Sequence, residues 1–125
     1  RVGGIQDIPI DVRIITATHK NLQEAVNKGD FRLDLFYRLN VFPIYLPALR
    51  DRDGDIRILA RHFLLRANQE YRSSTILEPG VLERLESYNW PGNIRQLENV
   101  IKGAVLISLD GGIKSSEIEL ILNQE

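Results

Sequence analysis

From Asp55 to Arg72 the chain reads DIRILARHFLLRANQEYR, and Ile56, Leu59, Ala60, Phe63, Leu64, Ala67 and Tyr71 fall on one stripe of a helix. Such a stripe predicts an amphipathic helix that packs against others. In EPGVLERLESY, residues 78–88, Val81, Leu82 and Leu85 face inward and Pro79 stands at a first-turn position. IRQLENVIKGAVLISL, residues 94–109, is apolar over much of its circumference; Asn93 and Gln96 have capping-box spacing ahead of it, and DGG ends it. A short final helix, EIELILNQ, is signalled by Ser116 with Glu119 at the same spacing. These four helices predict an all-α bundle over residues 48–125, entered through the charged, glycine-containing linker ALRDRDGD.

Before residue 48 the period changes. DVRIITAT, residues 11–18, is β-branched and apolar on both faces, the pattern of a buried parallel strand. NLQEAVNKG predicts a short helix with Asn21 as N-cap and Gly29 just past its end. Asp30 is placed to cap a second helix, FRLDLFYRLN, and the two prolines of VFPIYLP limit that segment to an edge strand or a strand end. Residues 1–47 are therefore expected to run strand, helix, helix, strand. The fold class is an α/β remnant, the end of a parallel sheet, followed by four helices, and the whole is mainly α. A strand such as 11–18 without neighbours leaves its backbone groups unpaired, so it is expected to pair with another chain, to be disordered, or to be covered by helices.

Composition narrows the function classes. The length of 125 residues allows a real core but no large multidomain machine. A net charge of -1 shows no basic excess, so global charge points to neither nucleic acid nor membrane. Without cysteine there is neither a disulfide framework nor a thiolate metal site, as in a reducing cytoplasm. No apolar run is long enough to span a bilayer and RVGGIQDIPI lacks a signal-peptide pattern, so a cytoplasmic location and no membrane partner are expected.

The candidate chemistry is carried by arginines. Arg32 and Arg38 lie inside the apolar run FRLDLFYRLN, where an unpaired guanidinium is costly unless an anion meets it. One reading is local, because Asp34 precedes Arg38 by four residues, the favoured order for a helical ion pair. The other is that the two arginines, about 120° apart on a helix, flank one anionic site. NWPGNIRQLEN delivers Arg95 at the first turn of a helix, and its Trp90 reads equally well as a plug of the bundle core. Thr16, Thr18 and His19 end the first predicted strand, the edge where ligands collect in parallel sheets, though polar residues there also cap helices. His62 is remote from His19, so no metal pair is predicted, and no two acids stand out as general acid and base.

Taken in order, RIITATHKNL, GDFRLDLFYRLNVFPIYLPALRDRDGDI and WPGNIRQLENVI resemble the carboxyl-terminal half of the AAA+ ATPase domain of sigma-54-dependent transcription activators, the NtrC family of bacterial enhancer-binding proteins. The resemblance implies that residues 1–47 are the end of the AAA+ core and residues 48–125 its helical lid. It implies sensor I at Thr18 and His19, where the family more often has asparagine in place of His19, so protonation enters the question. It implies arginine fingers at Arg32 and Arg38, reaching the nucleotide of a neighbouring subunit in a ring, and sensor II at Arg95. ATP with Mg2+ is the cofactor implied for the intact parent, and sigma-54 RNA polymerase its partner through an upstream loop. DNA would be bound by a downstream domain. No G-x-x-x-x-G-K-[ST] occurs, and GGIKSS near residue 111 has the wrong glycine spacing. The chain is therefore expected to be a fragment that neither binds nucleotide tightly nor hydrolyses it alone. A different class is a free-standing helical DNA-binding or interaction module, with ERLESYNWPGNIRQLENVI as helix, turn and recognition helix; the absent basic patch argues against it.

Overall fold

The computed structural model describes residues 4–124. The chain divides into two compact units, one running to Tyr45 and the other starting at Leu46.

In the first unit two short helices form, α1 over Leu22–Asn27 and α2 over Leu33–Leu39. Asn21 Oδ1 accepts the Glu24 amide at 3.2 Å, the N-cap read from the sequence, and Gly29 takes φ +81° just after the helix end, where a side chain would be strained. The Asp30 and Phe31 amides both return to the Ala25 carbonyl and fold α2 back on α1. Asp30 does not cap α2. The N-cap is Arg32, which has no side-chain cap bond, so the helix starts later than the apolar run implied.

Neither expected strand of this unit forms: no strand is assigned in residues 11–18 or 41–47. Ile15 is 82% exposed and Phe42 85%. The physical reason is pairing. A parallel strand acquires its hydrogen bonds only from neighbours, and Pro43 and Pro47 deprive the second candidate of donors. β-branched pattern alone does not make a strand.

The second unit is the helical bundle. α3 spans Asp55–Tyr71, α4 Val81–Ser87, α5 Asn93–Ile107 and α6 Ser115–Leu122. Its centre is the α3 to α5 contact; α4 packs on α3, and α6 on α5 and α4. Ile56, Ala60, Phe63 and Ala67 are buried, while Leu59, Leu64 and Tyr71 pack partly buried against them, as the helical period requires. Leu97, Val100, Ile101, Ala104 and Val105 bury the facing side of α5, and Ile118 and Leu122 close the core from α6. The exposed residues of α5 are Asn93, Arg95, Asn99, Leu106 and Ile107, a face with a single cation where a DNA groove reader needs a basic one.

Three expectations are corrected here. Pro79 lies outside α4, whose N-cap is Gly80. Ser116 does not cap α6, which begins at Ser115 with Lys114 as N-cap and no side-chain cap bond; Glu119 instead pairs with Arg84. The segment read as a charged linker contains a 3-10 turn, Leu49–Asp51, whose Leu49 is a core residue, and an Arg52–Asp55 ion pair at 2.8 Å.

A small parallel pair was not anticipated. β1, Ile76–Leu77, lies beside β2, Gly112–Ile113, with Ile76 opposite Gly112 and Leu77 opposite Ile113. α4 and α5 supply the crossover that parallel strands need. Asn68 clamps this corner: its Nδ2 donates to the Thr75 carbonyl at 2.8 Å, and its Oδ1 accepts from the Ser73 hydroxyl at 2.6 Å and the Thr75 amide at 3.1 Å.

Candidate functional site

Arg32 and Arg38 stand at the two ends of α2. Arg32 is extended (φ -72°, ψ 135°) and precedes the helix, so the helical angle between the two arginines does not apply. Its Nη2 lies 2.8 Å from Asp34 Oδ2 and its Nε 3.1 Å from Oδ1, a two-point ion pair. Partial desolvation raises the Asp34 carboxyl, but the Leu35 amide and the Arg32 guanidinium outweigh it and the net shift is downward. The local pair therefore exists, with Arg32 as its partner and not Arg38. Arg38, exposed in the last turn of α2, has no hydrogen bond or ion pair from its guanidinium among the described residues. Helix polarity favours a cation there, and the side chain can turn to an external anion without giving up a salt bridge.

Thr18 lies in the stretch without regular structure ahead of α1, and His19 in the bend that follows it. The Thr18 hydroxyl accepts the Lys20 amide at 3.1 Å, a local turn-stabilising bond. His19 is exposed. The two residues are neighbours by chain position and no sheet edge gathers them, because the strand that would end there does not form.

Arg95 belongs to the second unit. Trp90, Pro91 and Gly92 make the turn that precedes it, and Trp90 is fully buried, its Nε1 donating to the Leu85 carbonyl at 2.6 Å. Its ring meets Tyr88 edge-on, with centroids 5.0 Å apart. Trp90 thus does plug the core. Leu97 is buried and Ile94 partly so, which rolls Arg95 outward at the start of α5. The Arg95 guanidinium has no hydrogen bond or ion pair among the described residues.

The expected capping box is only half made. Gln96 Oε1 accepts the Gly92 amide at 2.8 Å, while Asn93 Oδ1 accepts the Leu49 amide at 2.9 Å, a bond across 44 residues. Sequence reasoning missed that use of Asn93. The available signal was an asparagine directly after Pro-Gly, a residue that tolerates the left-handed backbone and then has its side chain free for another partner. An open hollow of about 550 Å³ lies by the same turn, lined by Arg50, Tyr88, Asn89 and Pro91.

Arg38 and Arg95 offer unpaired guanidinia suited to phosphate oxygens, whereas no group of three histidines or acids able to hold a metal ion occurs among the described residues. No described helix is long and apolar enough to cross a membrane.

Comparison with known proteins places the chain in a family. A profile of the AAA+ ATPase lid domain matches residues 50–125, and one of the sigma-54 interaction domain matches residues 1–45. The chain belongs to the sigma-54-dependent transcription activators. Among relatives in this family, it is 50% identical over 109 residues to the transcriptional regulatory protein XylR of Pseudomonas putida, covering 86% of this chain and 19% of XylR. To the nitrogen fixation protein VnfA of Azotobacter vinelandii it is 52% identical over 115 residues, 90% of this chain and 22% of VnfA. The crystal structure of NtrX from Brucella abortus in complex with ADP superposes with a TM-score of 0.85 at 32% identity, over 99% of this chain and 29% of that one. The NtrX complex with ATP gives 0.84 at 34% identity, over 94% and 28%. The chain thus spans between about a fifth and a third of the activators it matches.

Proposed function

We propose that this chain is the finger-and-lid portion of an AAA+ ATPase that couples ATP hydrolysis to remodelling of sigma-54 RNA polymerase in the bacterial cytoplasm. Residues 1–47 are read as the end of the core and 48–125 as the lid. The observation that carries the reading is the placement of Arg38 and Arg95: each is presented from a fixed end of a helix with an uncompensated guanidinium. The order of the surrounding motifs is that of the family, and the NtrX structures hold ADP and ATP. Bound ATP supplies the phosphoanhydride and the negative charge that these groups meet.

In this reading Arg38 projects from one subunit of a ring towards the phosphates held by the next, where fixed positive charge stabilises the developing charge of phosphoryl transfer. Arg32 joins it after exchanging Asp34 for phosphate, so Asp34 holds that finger in reserve. Arg95 contacts the nucleotide from the lid as sensor II, and Thr18 with His19 acts as sensor I. Magnesium ligands, the phosphate cradle, the sigma-54 contact and DNA recognition come from other parts of the parent protein.

The test is made in the full-length parent. Arg38→Ala is expected to lower ATP turnover by about 10³-fold or more, and Arg32→Ala and Arg95→Ala to lower it measurably, with promoter opening falling in parallel. Undiminished turnover in all three variants overturns the proposal. The 125-residue chain alone is expected to show no magnesium-dependent ATP hydrolysis.

A further inference from the structure

Asn93 occupies an unusual position. It is the first residue of α5, yet its backbone is left-handed, with φ +53°. Asparagine accepts that conformation better than most residues, but the conformation alone would equally suit glycine. The side chain supplies what glycine lacks. Its Oδ1 accepts the Leu49 amide at 2.9 Å in a partly buried setting. Leu49 opens the 3-10 turn, so its amide is one of the donors that the turn itself cannot satisfy. Leu49 is also 1% exposed, which anchors that end of the bond in the core.

The other end is equally constrained. The Asn93 amide donates to the Trp90 carbonyl at 2.8 Å, and Trp90 is buried. Gln96 Oε1 takes the Gly92 amide, and a Cβ on Gly92 would stand 2.6 Å from Gln96 Cβ, so the turn is too tight for any larger residue there. Arg95 follows two residues later on the same helix and takes its direction from this turn.

We propose that Asn93 is a positioning residue for Arg95, its side chain latching the first turn of α5 to the 3-10 turn at Leu49. This rests on the reading of Arg95 as a nucleotide contact. The latch makes the chain entering the lid and the base of Arg95 one body, so a displacement of either is transmitted to the other. Without it the start of α5 keeps its backbone but loses its cross-link to residue 49, and the guanidinium samples a wider range of positions.

Two substitutions separate the backbone from the bond. Asn93→Gly retains the left-handed conformation and removes the acceptor; Asn93→Asp retains the acceptor. In the full-length parent, Asn93→Gly is expected to lower kcat/KM for ATP about 10-fold to 100-fold, the effect of a small misplacement, and Asn93→Asp to restore most of it. In an Arg95→Ala background Asn93→Gly is expected to have no further effect, because the residue it positions is gone. An equal loss in both backgrounds, or no loss when Arg95→Ala is itself damaging, overturns the latch. If Arg95→Ala is harmless, the functional reading fails and the catalytic role of the latch with it. Hydrogen exchange in the 125-residue chain tests the bond independently of any activity: the Leu49 amide should be protected in the wild type and Asn93→Asp and exchange faster in Asn93→Gly. Equal protection in all three shows that the bond does not hold the turn.

Discussion

Trp90 shows how one side chain can hold an unfavourable backbone. Its φ is +50°, a region that costs a bulky residue on the order of 1–3 kcal/mol, and complete burial with a satisfied indole N–H offsets that cost. Arginines illustrate the opposite principle, that chemistry is set by partners. Arg57 bridges Glu83 and Glu86 between α3 and α4, and Arg84 reaches Glu119 between α4 and α6. The hydrogen bond from Arg84 is the main cause that lowers the Glu119 carboxyl below its ordinary 4.5. A lowered folded value means that the pair contributes stability above the unfolded value and loses it as pH falls through the folded one. Because both side chains are partly exposed, solvent screening keeps the contribution small. Glu119→Gln is accordingly expected to melt below wild type at pH 7, with the two melting temperatures converging in acid below about pH 4.5. A gap of unchanged size in acid would mean that the pair is not the cause.

At the level of elements, the long helices were legible because burial enforces their period. α3 and α5 occupy the spans that their apolar stripes describe to within two residues, and the buried positions of α3 are those the stripe named. Starts were less legible. Capping spacing identified Asn21, where nothing competes for the side chain, and misassigned Asp30, Asn93 and Ser116, whose helices begin elsewhere or whose side chains serve more distant groups. The β1–β2 pair was invisible because two-residue strands have no period. They are held by the Asn68 clamp and by Thr75, whose hydroxyl donates to the Ser108 carbonyl at 3.1 Å. Asn68→Ala removes the partners of the Thr75 amide and carbonyl and of Ser73 together. It is expected to destabilise the bundle by about 1–3 kcal/mol in urea denaturation, with an unchanged slope. A loss below about 0.5 kcal/mol would show that water replaces the clamp.

For the molecule as a whole, two units of the same chain differ in what their sequences can complete. Among the described residues, the bundle beginning at Leu46 buries sixteen hydrophobic ones, from Leu49 to Leu122, in one core cluster. In the unit that ends at Tyr45 no described residue is buried. Hydrogen exchange of a monomeric sample is therefore expected to leave the amides of residues 11–18 unprotected while those of α3 and α5 exchange slowly; equal protection of the two sets would contradict it. By itself, the sequence determined the helical period, the four-helix bundle and which arginines are candidates to meet an anion, since amphipathic stripes and motif order are local in the chain. Only the tertiary structure decided that Asp34 engages Arg32, that Asn93 reaches Leu49, that Trp90 is core and that the apolar run 11–18 makes no strand. Each of these depends on which partner is within hydrogen-bonding or packing distance: a linear pattern does not say which of two nearby arginines Asp34 takes, and it carries no information on distances between residues far apart in the chain.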